Sequence, residues 1–134
     1  MISYLAGFFD GEGCVTIGSN GSIQLRVINT SKKVLDQFPV YFGGSVLPRK
    51  QIVNKPQYHW SVYGEDAIKA AITLSEHCID KKNQLLTLIE WWNYREGLCF
   101  KEGKKKGVNR CNTVRDVAIK DYQKKLTIMK KEFN

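Results

Sequence analysis

Residues 4–13 read Tyr4-Leu5-Ala6-Gly7-Phe8-Phe9-Asp10-Gly11-Glu12-Gly13. Ser3 is placed to cap a short helix, and the apolar residues after it keep helical spacing until the glycines stop it. Ser3, Ala6, Gly7 and Asp10 fall at i, i+3, i+4 and i+7, so one face carries only small side chains, while Leu5, Phe8 and Phe9 crowd the other. A glycine inside a helix costs roughly 1 kcal/mol against alanine. Gly7 is best explained by the close approach of another backbone, so the small face expects a partner. Asp10 and Glu12 follow in a glycine frame, where a carboxylate beside accessible backbone suits a hard divalent cation with oxygen ligands.

Around this stretch lie 134 residues with 43% hydrophobic content, enough for one domain, residues 1–134, with a buried core. The net charge of +8 points to a polyanionic partner, since clustered lysine and arginine release counterions on meeting phosphates. Cys14, Cys78, Cys99 and Cys111 form no Cys-x-x-Cys pair. With only His59 and His77 to help, a zinc site is not expected, and the adjacent His77-Cys78 is read as a helix end with one buried thiol. No apolar run reaches the roughly 20 residues of a membrane helix. Met1 leads straight into the motif helix, so no signal peptide, an intracellular setting and reduced thiols are expected.

The pattern after the motif predicts a strand over 14–17, a hairpin at Gly18-Ser19-Asn20-Gly21 and a second strand over 22–28. Asn29-Thr30-Ser31 breaks this strand and caps a helix over 32–42, in which Pro39 leaves the end open. Gly43-Gly44 turns the chain into a third strand over 45–53, and Lys55-Pro56 into a fourth over 57–63. Helices follow over 65–74, with Ile68, Ala71 and Ile72 on one side, and after Gln84, where Leu85, Leu86, Leu88, Ile89 and Trp92 are expected to supply core. A polar interval with Lys104-Lys105-Lys106 separates these from a last helix over 114–133, capped by Thr113 and packing through Val117, Tyr122, Leu126 and Met129.

Alternation sends Val15, Ile17, Ile23, Leu25, Val27, Tyr58, Trp60 and Val62 inward. The outward set is Thr16, Gln24, Arg26, Arg49, Gln51, Gln57, His59 and Ser61. Arginine, glutamine and hydroxyl side chains read base edges in a major groove. A wet polar face is also what any antiparallel sheet presents to water. The absence of Asp and Glu from 14–28 and 45–63 favours a phosphate-facing surface.

Leu5 to Gly13, LAGFFDGEG, resembles the motif of the LAGLIDADG homing endonucleases and related intron maturases. The order helix, two strands, helix, two strands, helix, helix is similar to one repeat of that family, and Thr113-Val114-Arg115 resembles the start of the C-terminal helix in its single-motif members. The resemblance implies an α+β fold, αββαββα(α), with a four-stranded antiparallel, saddle-shaped sheet that binds double-stranded DNA, a motif helix over about 3–13 and a C-terminal extension over about 113–133. One motif in one chain implies a homodimer with Ser3, Ala6, Gly7 and Asp10 at the axis, two Glu12 carboxylates at the centre and a pseudo-palindromic target. Seven-residue strands span about 23 Å at roughly 3.3 Å per residue, so two sheets cover on the order of 14 to 24 base pairs.

The implied activity is site-specific, double-strand phosphodiester hydrolysis. Magnesium would be held by Glu12 and the Gly11 carbonyl, with manganese as a substitute and calcium expected to support binding without cleavage. By the same resemblance Asn29 takes the place of a water-ordering amide and Lys81 that of a catalytic lysine. Lys82 is the alternative to Lys81, and Lys32 or Lys33 to a basic residue after Asn29. Glu12 stands where aspartate is commoner in the family and keeps the carboxylate. The competing readings are an RNA maturase and a non-cleaving DNA-binding regulator on the same scaffold. Two carboxylates in an intact Gly-acid-Gly frame favour the nuclease, since a binder has no use for them beside phosphates.

Overall fold

The opening stretch forms α1 (Ile2–Glu12) in a computed structural model that describes residues 1–49, 56–101 and 112–132. The chain continues through β1 (Gly13–Ile17), β2 (Ile23–Asn29), α2 (Lys32–Leu35), α3 (Gln37–Phe42), β3 (Ser45–Arg49), β4 (Gln57–Tyr63), α4 (Gly64–His77), α5 (Lys82–Lys101) and α6 (Asn112–Glu132). The strands make one antiparallel sheet in the order β1-β2-β4-β3. This is the expected α+β order. Among the described residues no helix is long and apolar enough to cross a membrane.

Period-two alternation fixes which face is dry. Register places Val15 opposite Leu25, Leu25 opposite Val62, and Val27 opposite Trp60, and all of these are buried. Helices cover that face with Leu5, Phe9, Leu35, Phe38, Leu74, Leu85, Leu88 and Trp91. Each fully buried large side chain contributes about 1.5–3 kcal/mol. The β1–β2 turn is docked as well as closed: Gly21 takes φ +84°, and its carbonyl accepts the Trp91 Nε1–H at 2.9 Å. A side chain at Gly21 would be strained by that φ and would crowd the Trp91 ring.

Several helices differ from expectation. Met1, not Ser3, occupies the N-cap of α1, and no side-chain cap bond is made there. The helix expected over 32–42 breaks at Asp36 into α2 and α3, which leaves Pro39 in the first turn of α3, where a missing N–H costs little. In α4 the buried stripe is Ala67, Ile68, Ala70, Ala71, Leu74 and Ser75, and Ile72 is exposed. In α5 Trp91 is in the core instead of Trp92, and Leu86 is exposed, because the stripe runs through Gln84, Leu85, Thr87 and Leu88. In α6 Ile119, Tyr122 and Leu126 pack inward, and Val117 points to solvent. Gln51, Cys111 and the lysine run 104–106 lie outside the described residues, as does any continuation of the third strand through 50–53.

Tyr122 anchors α6. Its ring lies 5.4 Å from that of Trp91, and its hydroxyl donates to Glu90 Oε1 at 3.0 Å. Burial first, then the Glu90 hydrogen bond and charge, push the phenol up to about 12.

Candidate active site and nucleic-acid interface

The end of α1 is tied to the start of α5. Asp10 Oδ2 accepts the Ile79 N–H at 2.8 Å and Asp10 Oδ1 accepts the Lys81 N–H at 3.1 Å. Beneath this joint the buried Cys78 thiol donates to the Ala6 carbonyl at 3.3 Å. Burial, followed by the charge and hydrogen bond of Asp10, pushes that thiol up to about 12 against the opposing pull of Lys81, so it stays neutral.

These contacts frame a cleft of about 390 Å³ lined by Asp10, Gly11, Gly13, Cys14, Asp80, Lys81, Gln84 and Lys130. It brings Gly11 and Lys81 together. Lys82 is exposed and is not among the lining residues. Cys14, Gln84 and Lys130 were missed by the sequence reading. Lys130 arrives from α6, 115 residues from the Val15 carbonyl that it bonds, so no local pattern could have pointed to it.

Glu12, the last residue of α1, is exposed and stands outside the cleft lining. The last carbonyls of a helix have no intrahelical partner, and the helix C-terminus favours a cation. Gly13 N–H bonds the Phe9 carbonyl, which leaves the Gly11 carbonyl beyond the helical ladder. Together with the Glu12 carboxylate this is an oxygen donor set suited to a hard divalent ion. Among the described residues no three His, Cys, Asp or Glu side chains converge. Asn29 does not join the cleft either. Register pairs Gly13 with Val27, which puts Asn29 at the same end of the sheet, and its Oδ1 accepts the Ser31 N–H at 2.9 Å. Lys32 is paired with Asp36 at 2.9 Å, and Lys33 is exposed.

The small face of α1 needs correction. Ala6 is fully buried inside the chain, and Asp10 is engaged with Ile79 and Lys81. The exposed stripe is Ser3, Gly7 and Gly11 at i, i+4 and i+8, flanked by Tyr4. A Cβ added at Gly7 or Gly11 meets nothing within 4 Å, so none of the described residues requires a glycine at either position. Gly13 contrasts with them, since a Cβ there would lie 2.5 Å from the Phe9 ring and carbonyl.

On the wet face of the sheet, register sets Thr16 opposite Gln24, Arg26 opposite Ser61 and Arg49 opposite Gln57, with His59 opposite both Ile28 and Leu47. The described members of the expected set therefore share one face. Ser61 is the exception in reach: it is only 4% exposed, at the centre of the row Cys14, Arg26, Ser61, Ser45, and its hydroxyl cannot meet a base edge. Tyr63 belongs on this face, where its hydroxyl accepts from Gln24 Nε2 at 2.9 Å. No Asp or Glu occurs in the four strands.

Solved structures share this architecture. The homing endonuclease I-CvuI, in complex with its target in the presence of calcium, superposes with a TM-score of 0.57 at 18% identity over 94% of each chain. The homing endonuclease I-TnaI gives 0.56 at 17% identity over 100% of this chain and 98% of that one. The meganuclease I-CpaMI, bound to uncleaved DNA, gives 0.53 at 15% identity, with 92% of this chain matching 50% of that one. No curated protein sequence matches. The family model of the LAGLIDADG-like domain matches residues 1–70, which include the motif helix and the whole sheet, and the chain belongs to that family.

Proposed function

We propose that the chain is one subunit of a homodimeric, divalent-metal-dependent, site-specific DNA endonuclease. The observation that carries this reading is the continuity of three features. An acid-free polar sheet face, the exposed Glu12 carboxylate and the Lys81-lined cleft adjoin at the end of the motif helix. The exposed Ser3-Gly7-Gly11 stripe supports a second copy packed helix to helix, and a fold equal to half of I-CpaMI supports pairing of two such units.

In this reading Glu12 and the Gly11 carbonyl of each copy hold magnesium at the centre. A divalent ion held there would supply Lewis-acid polarisation of a scissile phosphate, a lowered pKa for water and charge stabilisation of the leaving oxygen. The chain's own groups do the rest. Lys81 brings an ammonium to the phosphate side of the cleft. Asn29, its Oδ1 occupied by Ser31, keeps its amide N–H groups for orienting water. Gln24, Arg26, Arg49, Gln57 and His59 face base edges, and the lack of carboxylates on their face admits the phosphates.

The test incubates a randomised duplex library with the protein in magnesium, in calcium, and with Glu12→Gln in magnesium, and sequences cut and retained DNA. Cuts in both strands at one long, near-palindromic site, dependent on magnesium and lost in the variant, are expected. Selective retention without cutting under any metal would replace the nuclease with a DNA-binding regulator, and no duplex selectivity would leave intron RNA as the substrate to examine.

A further inference from the structure

We propose that Lys130, delivered by the C-terminal helix, is a phosphate-binding residue of the cutting site; this rests on the endonuclease reading above. β1 is an edge strand, paired only with β2. Two side chains of α6, seven residues apart, reach its free carbonyls. Gln123 Nε2 donates to Ile17 O at 2.9 Å and Lys130 Nζ to Val15 O at 2.8 Å. An edge can be closed by a neutral amide, as Gln123 does. A half-buried ammonium at the second position brings a charge that this task does not need.

That charge is paired with no carboxylate among the described residues. Apart from Val15 O, the polar contact of Lys130 is the Cys14 thiol at 3.7 Å, and no carboxylate bonds it among the described residues. Asp10 in the same cleft is engaged by Ile79 and Lys81, and Asp80 is exposed. A partly desolvated cation without a counter-ion is costly. The opposite wall holds a second unfinished group. Gln84, 1% exposed, buries its Oε1 without a donor among the described residues. The Thr87 hydroxyl, one turn along α5, reaches Met129 Sδ at 3.6 Å, which sets the two walls side by side. A hydrated phosphodiester completes both, its anionic oxygen meeting Lys130 and its bound water donating to Gln84. The place where both would be completed is next to Gly11 and Gly13, at the end of the motif helix.

The experiment uses the full chain and the duplex that the wild type selects. Affinity is measured in calcium between 50 and 200 mM salt, where about 0.9 of log–log slope is lost for each phosphate contact removed. Lys130→Met is expected to flatten the slope by about that amount per contact and to slow magnesium-dependent cutting roughly tenfold or more. Lys130→Arg and Gln123→Leu are expected to keep the wild-type slope, the latter removing an edge bond without a charge. Lys130→Gln retains a donor for Val15 O and replaces Lys130→Met if that variant does not fold. An unchanged slope in Lys130→Met, or the same slope change in Gln123→Leu, overturns the assignment and leaves Lys130 as an edge cap. Because the slope is read without cutting, a wild type that binds a duplex but never cuts it fails as a nuclease while still testing Lys130. A wild type that selects no duplex overturns both readings.

Discussion

Asp10 Oδ1 accepts the N–H of Lys81 at 3.1 Å across a sequence separation of 71 residues. The first acid of the motif is therefore a brace, and the second, Glu12, is the one left free. Because Asp10 holds the backbone of Lys81, the position of that lysine in the cleft depends on the motif helix.

Replacing the brace tests this coupling. Hydrogen bonds to a charged group contribute about 1.5–3 kcal/mol, less where solvent reaches them. Asp10→Ala is expected to lose about 1–3 kcal/mol of stability by urea denaturation and to slow cutting by displacing Lys81, with binding in calcium largely kept. Asp10→Asn retains one acceptor and is expected to fall between. An Asp10→Ala variant of wild-type stability would mean that the joint carries no load.

Gly7 gives a prediction of opposite sign for the subunit and the assembly. A Cβ there meets none of the described residues within 4 Å, and alanine is better in a helix by roughly 1 kcal/mol. Gly7→Ala is expected to leave the subunit folded and no less stable at concentrations where it is monomeric. Gly7→Leu is expected to abolish dimers, as followed by sedimentation velocity over a concentration series. A Gly7→Leu protein that sediments as a dimer would move the interface off this stripe.

Local patterns made much of this legible. Period two sorted the strand faces, and the motif helix was visible because glycine, small and large residues alternate at helical spacing. What failed was what depends on partners. Ala6 is small on a helix with two small-residue sides, and it faces inward because α1 packs on the sheet and on α4 with Leu5, Ala6 and Phe9 buried together. Trp91 and Trp92 are adjacent, and a rotation of one residue chose between them. The cleft is built from α1, the start of β1, the turn before α5, α5 and α6, so Gln84 and Lys130 became site residues only when these distant elements met.

The Cys78 thiol supplies a pH test. Its folded value is raised from 9.0 to about 12, so its contribution to stability is full below pH 9 and is lost as pH rises toward 12. Tyr122, raised from 10.0 to about 12, acts in the same direction from pH 10 upward. Urea midpoints measured from pH 8 to 11 are expected to fall in the wild type, and less steeply in Cys78→Ala and in Tyr122→Phe. At pH 8, peptide mapping after brief iodoacetamide treatment is expected to find Cys78 unmodified and the half-buried Cys14 labelled. Labelling of Cys78 at the rate of Cys14 in folded protein would contradict its burial.

Arg26 and Ser61 are register partners at the centre of the wet face, yet only one of them reaches outward. Arg26 is half-exposed, so the outer edge of its guanidinium is open to a bound base or phosphate. Ser61 is 4% exposed and covered by its neighbours. A bidentate arginine contact to guanine carries about 1–3 kcal/mol of discrimination. Arg26→Ala is therefore expected to weaken binding by about that amount and to relax preference at one position of each half-site, whereas Ser61→Ala stays within about 0.5 kcal/mol. Competition binding against all single-base variants of the selected duplex separates the outcomes. A uniform loss across variants with a shallower salt slope would assign Arg26 to the phosphate backbone, and a changed base preference in Ser61→Ala would mean that the sheet opens on binding enough to expose the serine.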